Sequence, residues 1–267
     1  MVDDTYTHGH HSSVLKSHTW RTAQNSAGYL LPQLDGSNSL LDIGCGPATI
    51  TCDLATRVKS VIGIEPVPDI LDKAEATRVV AGVDNVSFEV GSVYELRFDD
   101  DAFDVVHAHQ VLQHLTDPVA ALREMARVAK PGGLIAVRDA DYHAMTWYPE
   151  LPGLDRWMEI YQAVARHNDA EPDAARHLLQ WALNAGIERN QVEASADTWL
   201  YATEDERAWW ADLWAARTVE SAFGEQARSY GYSTLDEQAE IARAWREWAG
   251  HPAAMFTVPN GQLLIRV

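Results

Sequence analysis

The residues best suited to chemistry lie in one short stretch, Leu40-Leu41-Asp42-Ile43-Gly44-Cys45-Gly46-Pro47-Ala48-Thr49. Gly44 and Gly46 let the backbone turn sharply and let a ligand come close to it. A helix starting just beyond them offers free N–H groups and a partial positive charge. Pro47 suits the helix entrance because it has no N–H to leave unpaired. A dinucleotide loop of the G-x-G-x-x-G kind needs a third glycine, and Thr49 stands there instead. Asp42, ahead of the glycines, repels a pyrophosphate but suits a ligand with an ammonium group, such as an amino-acid moiety. Glu65 ends the run Val61-Ile62-Gly63-Ile64-Glu65. A carboxylate there can take both hydroxyls of a ribose, and Pro66 behind it suits an adenine laid against apolar side chains. No base is indicated near Cys45, which reads as a small filler and not a nucleophile.

A second group of residues can move protons. His107, His109 and His114 share one stretch, and Arg138-Asp139-Ala140-Asp141-Tyr142-His143 follows another strand. In an open parallel sheet both places lie at the ligand-binding end. His107 reads as the structural end of a strand, and His114 as equally suited to loop packing and to substrate. His109 and Asp139 are expected to face the pocket. Asp104 reads as loop support. His8, His10 and His11 read as a solvated terminus, and no further ligand at metal-binding spacing accompanies them, so no metal site is expected.

The elements that must position these groups follow from the pattern. Apolar runs at 39–43, 60–65, 86–90, 103–107 and 134–138 suit buried parallel strands. Helical segments at 47–58, 68–81 and 118–130 alternate with them, which implies helices on both faces of the sheet. The last begins after Thr116-Asp117-Pro118 and stops at Lys130-Pro131-Gly132-Gly133. Residues 12–34 read as an N-terminal helix. Beyond 144 the spacing predicts helices over 151–167 and 173–185, a strand over 192–202 and two Trp-rich helices within 203–250. A closing hairpin of 253–258 and 262–267 turns on Pro259-Asn260-Gly261.

Composition narrows the classes. The chain has 267 residues, 46% hydrophobic and 22% charged, which is ordinary for a folded chain. With 21 Lys and Arg against 39 Asp and Glu the net charge is −18, so nucleic acid and anionic membranes are poor partners. No apolar run approaches the roughly 18–20 residues of a membrane span. The N-terminus has no basic start or apolar core of a signal peptide, and two cysteines make no disulfide framework. A cytoplasmic protein, monomeric or homodimeric, is expected. Of ten Trp only Trp20 precedes Trp147, so the two halves are built for different work.

Four motifs in order then resemble the class I S-adenosylmethionine (SAM)-dependent methyltransferases, within the broad group that includes the ubiquinone and menaquinone C-methyltransferases. They are Leu41-Asp42-Ile43-Gly44-Cys45-Gly46; Gly63-Ile64-Glu65-Pro66; Phe103-Asp104-Val105-Val106-His107 with Leu112-Gln113-His114-Leu115-Thr116-Asp117-Pro118; and Leu122-Arg123-Glu124-Met125-Ala126-Arg127-Val128-Ala129-Lys130-Pro131-Gly132-Gly133. The match covers about residues 38–140. The resemblance implies a doubly wound, mostly parallel seven-stranded α/β sheet with a helical, Trp-rich cap. It implies an N-terminal helical lid over 1–37, a SAM-binding core over 38–143, and cap insertions plus closing strands over 144–267.

Carried over by residue, Asp42, Gly44, Cys45 and Gly46 meet the methionyl part of SAM. Glu65 holds the ribose, and Pro66 and Val67 border the adenine. Ser92 and Val93 follow the third strand where the family commonly has Gly-Asp-Ala, so adenine recognition there is weaker. Ala108, His109 and Gln110 follow the fourth strand, near the sulfonium. His109, His114 and Asp139 are the candidate bases, and Tyr6, Trp20, Arg21, Tyr142, Trp147 and Trp210 are expected at the substrate. The implied activity is methyl transfer to a small aromatic or hydrophobic molecule, of the quinone-precursor or secondary-metabolite kind, at O, S, N or C. A non-catalytic SAM-binding regulator and a nicotinamide-dependent oxidoreductase are the alternatives. Thr49 and Asp42 count against the latter. Protein or RNA methylation is disfavoured by the charge and the aromatic cap.

Overall fold

The computed structural model describes Thr7 and residues 20–267. Tyr6, His8, His10, His11 and His18 lie outside the described residues. Among those described, eight strands form one sheet: β1 (Ser39–Ile43), β2 (Ser60–Glu65), β3 (Val86–Val90), β4 (Phe103–His109), β5 (Ala129–Ala140), β6 (Thr146–Tyr148), β7 (Val192–Tyr201) and β8 (Met255–Arg266). Their order is β3-β2-β1-β4-β5-β8-β6, with β7 also on β8. The first five are parallel, and β8 runs antiparallel to its three partners.

The sheet has eight strands where the resemblance implies seven. Phe256 and Thr257 pair with β7 on one edge of β8 and with β6 on the other, while Gly261–Ile265 pair with β7 and β5. A strand has only two edges, so β5 and β6 share one of them and the eight strands fill seven places.

Helices cover both faces, as buried parallel strands require. Leu40, Val61, Val105 and Ala136 pack with Ala23, Leu30 and Leu54 on one face. Leu41, Val106 and Ile135 pack with Leu122, Met125 and Leu178 on the other. The flanking helices are α1 (Ala23–Ser26), α2 (Thr49–Ala55), α3 (Pro68–Ala81), α4 (Pro118–Val128) and α6 (Leu178–Asn184), with α5 (Pro152–His167) between the last two in the chain. Three more, α7 (Glu204–Glu220), α8 (Ala222–Ser229) and α9 (Leu235–Gly250), complete the described set. No helix among the described residues is long and apolar enough to cross a membrane.

Several boundaries differ from the sequence pattern. The described part of 12–34 is not one helix. Thr22 caps α1 through the Asn25 N–H, but Gly28 and Pro32 interrupt the continuation and Leu31–Gln33 is a separate 3₁₀ turn. Lys130-Pro131-Gly132-Gly133 does not stop a helix at 130. α4 ends at Val128 and these residues open β5, where Gly132 N donates to Val267 O at 2.6 Å.

The 203–250 stretch makes three helices because the chain breaks at Ser221. There a Cβ on Gly224 would meet Thr218 O at 2.4 Å. Pro259-Asn260-Gly261 does not turn a hairpin, and β8 runs straight through it. Pro259 O accepts from Asp141 N, so its missing N–H faces the gap between β5 and β6, where no ladder bond is lost. Gly261 is needed because a Cβ would meet Ala175 O at 2.8 Å.

A second core lies above the C-terminal edge of the sheet. Trp157, Trp214, Trp245, Trp248 and Phe256 are each at most 1% exposed. Trp157 meets Trp214 edge-on at 4.5 Å and Trp245 at 4.9 Å, the geometry that aromatic quadrupoles favour. α7 enters through a capping box, Thr203 with Glu206, and Thr234 caps α9.

Candidate active site

β1 lies between β2 and β4, where the strand order reverses, and the crevice beyond its C-terminal end is the place an open α/β sheet offers a ligand. A cavity of about 410 Å³ opens there and runs beneath the cap.

Its floor is the glycine loop. Gly44 has φ +66°, and a Cβ there would meet Val111 Cγ2 at 2.7 Å. Only glycine meets both constraints. Cys45 N donates to Ile64 O at 3.0 Å and fixes the loop to β2. Burial pushes the Cys45 thiol far up, so it stays protonated and inert. Glu65 is 8% exposed and accepts from Gly46 N at 3.2 Å and Val67 N at 3.4 Å. Burial raises its pKa against the pull of those two bonds. Asp42 accepts from Thr51 Oγ1 at 2.5 Å and meets His107 Nδ1 at 2.7 Å. That contact places the ring proton on Nδ1 in the neutral tautomer, and His107 Nε2 has no partner among the described residues.

Pro66, Val67, His109 and His114 also line the cavity, as do Trp20, Arg21, Tyr142 and Trp210 at the cap end. Five expected residues do not. Ala108 alternates with His107 and His109 and so faces the opposite core with Leu41 and Val106. Val93 is buried in that same core, and Ser92 caps its own turn by accepting from Tyr94 N. Trp147 stacks on Phe256 at 5.5 Å, behind the wall.

Asp139 is fully buried beneath the loop that follows β4. Its Oδ1 accepts from Gln113 N at 3.1 Å, its Oδ2 has no partner among the described residues, and burial pushes its pKa up to about 7. Asp104 acts as loop support. It accepts from Ser39 N and Oγ and pairs with Lys130. Those bonds outweigh burial and bring it down to about 2.

Gln110, expected near the sulfonium, lines the cavity; Gln113, Trp199, Tyr201 and Arg217 line it too, although none was singled out as a site residue. Gln110, at φ +57°, donates to Asn260 Oδ1 at 2.8 Å and accepts from Gln113 Nε2 at 2.7 Å, which ties the loop after β4 to β8. Two signals were available: Trp199 and Tyr201 share one face of a strand, and Trp210, Trp214 and Arg217 fall on one helical stripe. Trp20 packs at the cap end. The Trp20 ring lies 5.5–5.7 Å from the rings of Trp199, Tyr201 and Trp209, and Thr7 Oγ1 accepts from Asn168 Nδ2 at 3.0 Å.

A methyltransferase-domain family model matches residues 34–201. An uncharacterised methyltransferase of Schizosaccharomyces pombe is 35% identical over 98% of this chain and 96% of its own length. The 27-O-demethylrifamycin SV methyltransferase of Amycolatopsis mediterranei is 32% identical over 64% of this chain and 66% of its own. Among solved structures, a geranyl diphosphate C-methyltransferase from Streptomyces coelicolor superposes with a TM-score of 0.53 at 15% identity, covering 95% of this chain and 80% of that one. The fold and site therefore define a Rossmann-like, class I methyltransferase. The chain belongs to the methyltransferase-domain family; it is an enzyme, and S-adenosyl-L-methionine is its cofactor.

Proposed function

We propose that the chain methylates a small aromatic or hydrophobic molecule held beneath the Trp-rich cap, at O, S, N or C. The observation that carries this reading is the continuity of the cavity. Asp42, Glu65 and the glycine loop line one cavity with Tyr142, Trp210 and Trp214. A cavity of this size with aromatic walls and a few polar groups suits a metabolite better than a polymer. The similarity to a methyltransferase named for demethylrifamycin supports a secondary-metabolite acceptor, and the four motifs support the ubiquinone and menaquinone C-methyltransferase-like group.

The residues present fit the cofactor. Asp42, fixed by Thr51 and His107, lies beside Gly44, Cys45 and Gly46, where a carboxylate suits an α-ammonium group. Glu65 sits at the β2 end where ribose hydroxyls are held, and Pro66 and Val67 border the adenine. Ser92, Val93 and Ala108 are given no part, because they lie off the cavity. When bound, the cofactor supplies an electrophilic methyl on a sulfonium sulfur.

The protein's share is orientation and the exclusion of water by the cap, with Trp20 packed against it. His109 is the imidazole beside the reacting centre. Burial, with Arg21 adding to it, pushes His114 down to about 3, so it is neutral and a poor proton acceptor. Asp139 acts from behind the wall, by holding the loop that carries Gln113 and His114.

The test is incubation with methyl-labelled SAM and a small-molecule extract of the producing cells, read by mass spectrometry. A labelled product supports the reading, and its fragmentation locates the acceptor atom. No label, in protein shown to bind SAM, overturns it.

A further inference from the structure

A chain of buried side-chain amides runs from β8 to the cavity wall. Asn260, Gln110 and Gln113 are 1%, 9% and 3% exposed. Asn260 Nδ2 donates to Val258 O at 2.8 Å. Gln110 Nε2 donates to Asn260 Oδ1 at 2.8 Å, and Gln113 Nε2 donates to Gln110 Oε1 at 2.7 Å. The remaining Gln113 side-chain N–H goes to His114 Nε2 at 3.2 Å. Burial keeps His114 neutral, so that nitrogen can accept.

The direction of the chain is fixed at its β8 end. A backbone carbonyl only accepts, so Asn260 must turn its NH₂ to Val258 O and its oxygen to Gln110. That oxygen demands the Gln110 NH₂, and Gln110 Oε1 in turn demands the Gln113 NH₂. Turning any one amide over would set oxygen against oxygen, or N–H against N–H, in a buried place. The backbone adds to this. Gln110 is held at φ +57° with its N–H on Arg138 O at 2.7 Å, a conformation that a residue other than glycine keeps where its surroundings impose it.

What remains at the cavity end is an acceptor. Gln113 lines the cavity, both N–H groups of its amide are spent, and its Oε1 is buried with no partner among the described residues. A buried carbonyl oxygen without a donor is rare in a folded protein, and this one belongs to a residue in the wall of a binding cavity. Hydrogen bonds in series polarise one another, which makes Oε1 a stronger acceptor than an isolated amide oxygen.

We propose that Gln113 sets specificity: its Oε1 accepts a hydrogen bond from a hydroxyl or N–H on the methyl acceptor, and Gln110 and Asn260 are positioning residues that keep that oxygen available. This rests on the methyltransferase reading of the same cavity. A molecule of the same shape without the donor leaves Oε1 buried and unsatisfied, and sites built in this way reject such analogues strongly. An amide oxygen is too weak a base to remove a proton, so the group it holds is oriented with its proton in place.

The test uses shape-matched probes on the whole chain loaded with S-adenosyl-L-homocysteine: 2-naphthol against 2-fluoronaphthalene for a hydroxyl, and indole against benzofuran for an N–H. Binding is read by equilibrium dialysis. At least one donor should bind about tenfold or more tightly than its partner, and the pair that responds separates hydroxyl from N–H. Gln113→Met keeps the length and removes the acceptor, and should bring the two members of that pair within about twofold of each other. Asn260→Leu, off the cavity, should also lower the preference, because Gln110 loses the oxygen that sets its direction. Asn260→Asp keeps that oxygen and should keep the preference. A packing role alone would weaken both members of a pair alike and would not separate the two Asn260 variants. Equal affinity within both pairs, absence of binding by all four probes, or a preference that survives Gln113→Met overturns the inference. Where Gln113→Met does not fold, a preference that survives Asn260→Leu does so. Failure of the unmodified chain to hold S-adenosyl-L-homocysteine overturns instead the reading on which it rests.

Discussion

The glycine-loop end and the cap end of the cavity are walls made by opposite means. At the loop end the ligand-facing groups come from two consecutive strand ends, and backbone hydrogen bonds fix them. Cys45 N is tied to Ile64, Gly46 N to Glu65, and Val67 N to the same carboxylate. At the cap end the groups come from Trp20 and Arg21, the β7 end and α7, and interlocked aromatic rings hold them. A wall set by backbone geometry tolerates few substitutions and suits a ligand that does not change. A wall set by side-chain packing can be repacked while its volume is kept, which suits a pocket whose occupant varies among relatives.

The largest expected effect breaks the cap. Trp157→Ala should lower stability by about 3–5 kcal/mol, because Trp157 is fully buried between Trp214 and Trp245. Denaturant unfolding should show one transition, since β8 belongs to both halves; a separate early transition for the cap would contradict that.

The junction between the halves should show a pH signature. Asp139 holds its proton up to about 7 in the folded chain, against 3.8 when exposed. The folded state therefore binds more protons between these values, and stability falls as pH rises through the window. At about 1.4 kcal/mol per unit this amounts to up to about 4 kcal/mol. Asp139→Asn should flatten the melting temperature between about pH 4 and 7, and an unchanged slope would show that another group carries it.

A third test touches the loop end alone. Glu65→Ala should weaken SAM binding in calorimetry by about 1–3 kcal/mol, through lost charge-assisted bonds, while the melting temperature of the cap mutant series is untouched. Unchanged affinity would remove Glu65 from the cofactor site. The smallest effect sharpens the boundary of that site. Ser92→Ala should change SAM affinity by less than about 0.5 kcal/mol, because Ser92 is spent on its own turn. A loss like that of Glu65 would bring it back to the adenine.

The loop end was legible in the sequence because its constraints are local. Asp42, two glycines and Glu65 each have a reason within a few residues, and the buried parallel strands announce themselves as continuous apolar runs; Pro47 was expected at the helix entrance, but α2 starts at Thr49 behind an Ala48 cap and Pro47 lies outside it. The cap end was legible only in composition. Arg217 and Trp199 reach the cavity through long-range packing that no short window contains. The alternation rule, applied to β4, would have separated His107 and His109 from Ala108. Asp139 was expected in the pocket because it follows β5, but its neighbour on that side is the Gln113 backbone and not open space. Pro259-Asn260-Gly261 has the composition of a turn. Only the gap between β5 and β6 and the nearness of Ala175 explain why it is extended.

That unbroken β8 also sets an order of assembly. The parallel strands β1 to β5 are all synthesised before Ala140, yet the outer edge of β5 has no partner until Met255–Arg266 has left the ribosome. During that interval a row of unpaired N–H and C=O groups beside apolar Ile135 and Val137 is open to other chains. Slower translation across the Trp-rich segment is therefore expected to lengthen that exposure and lower the yield of folded enzyme.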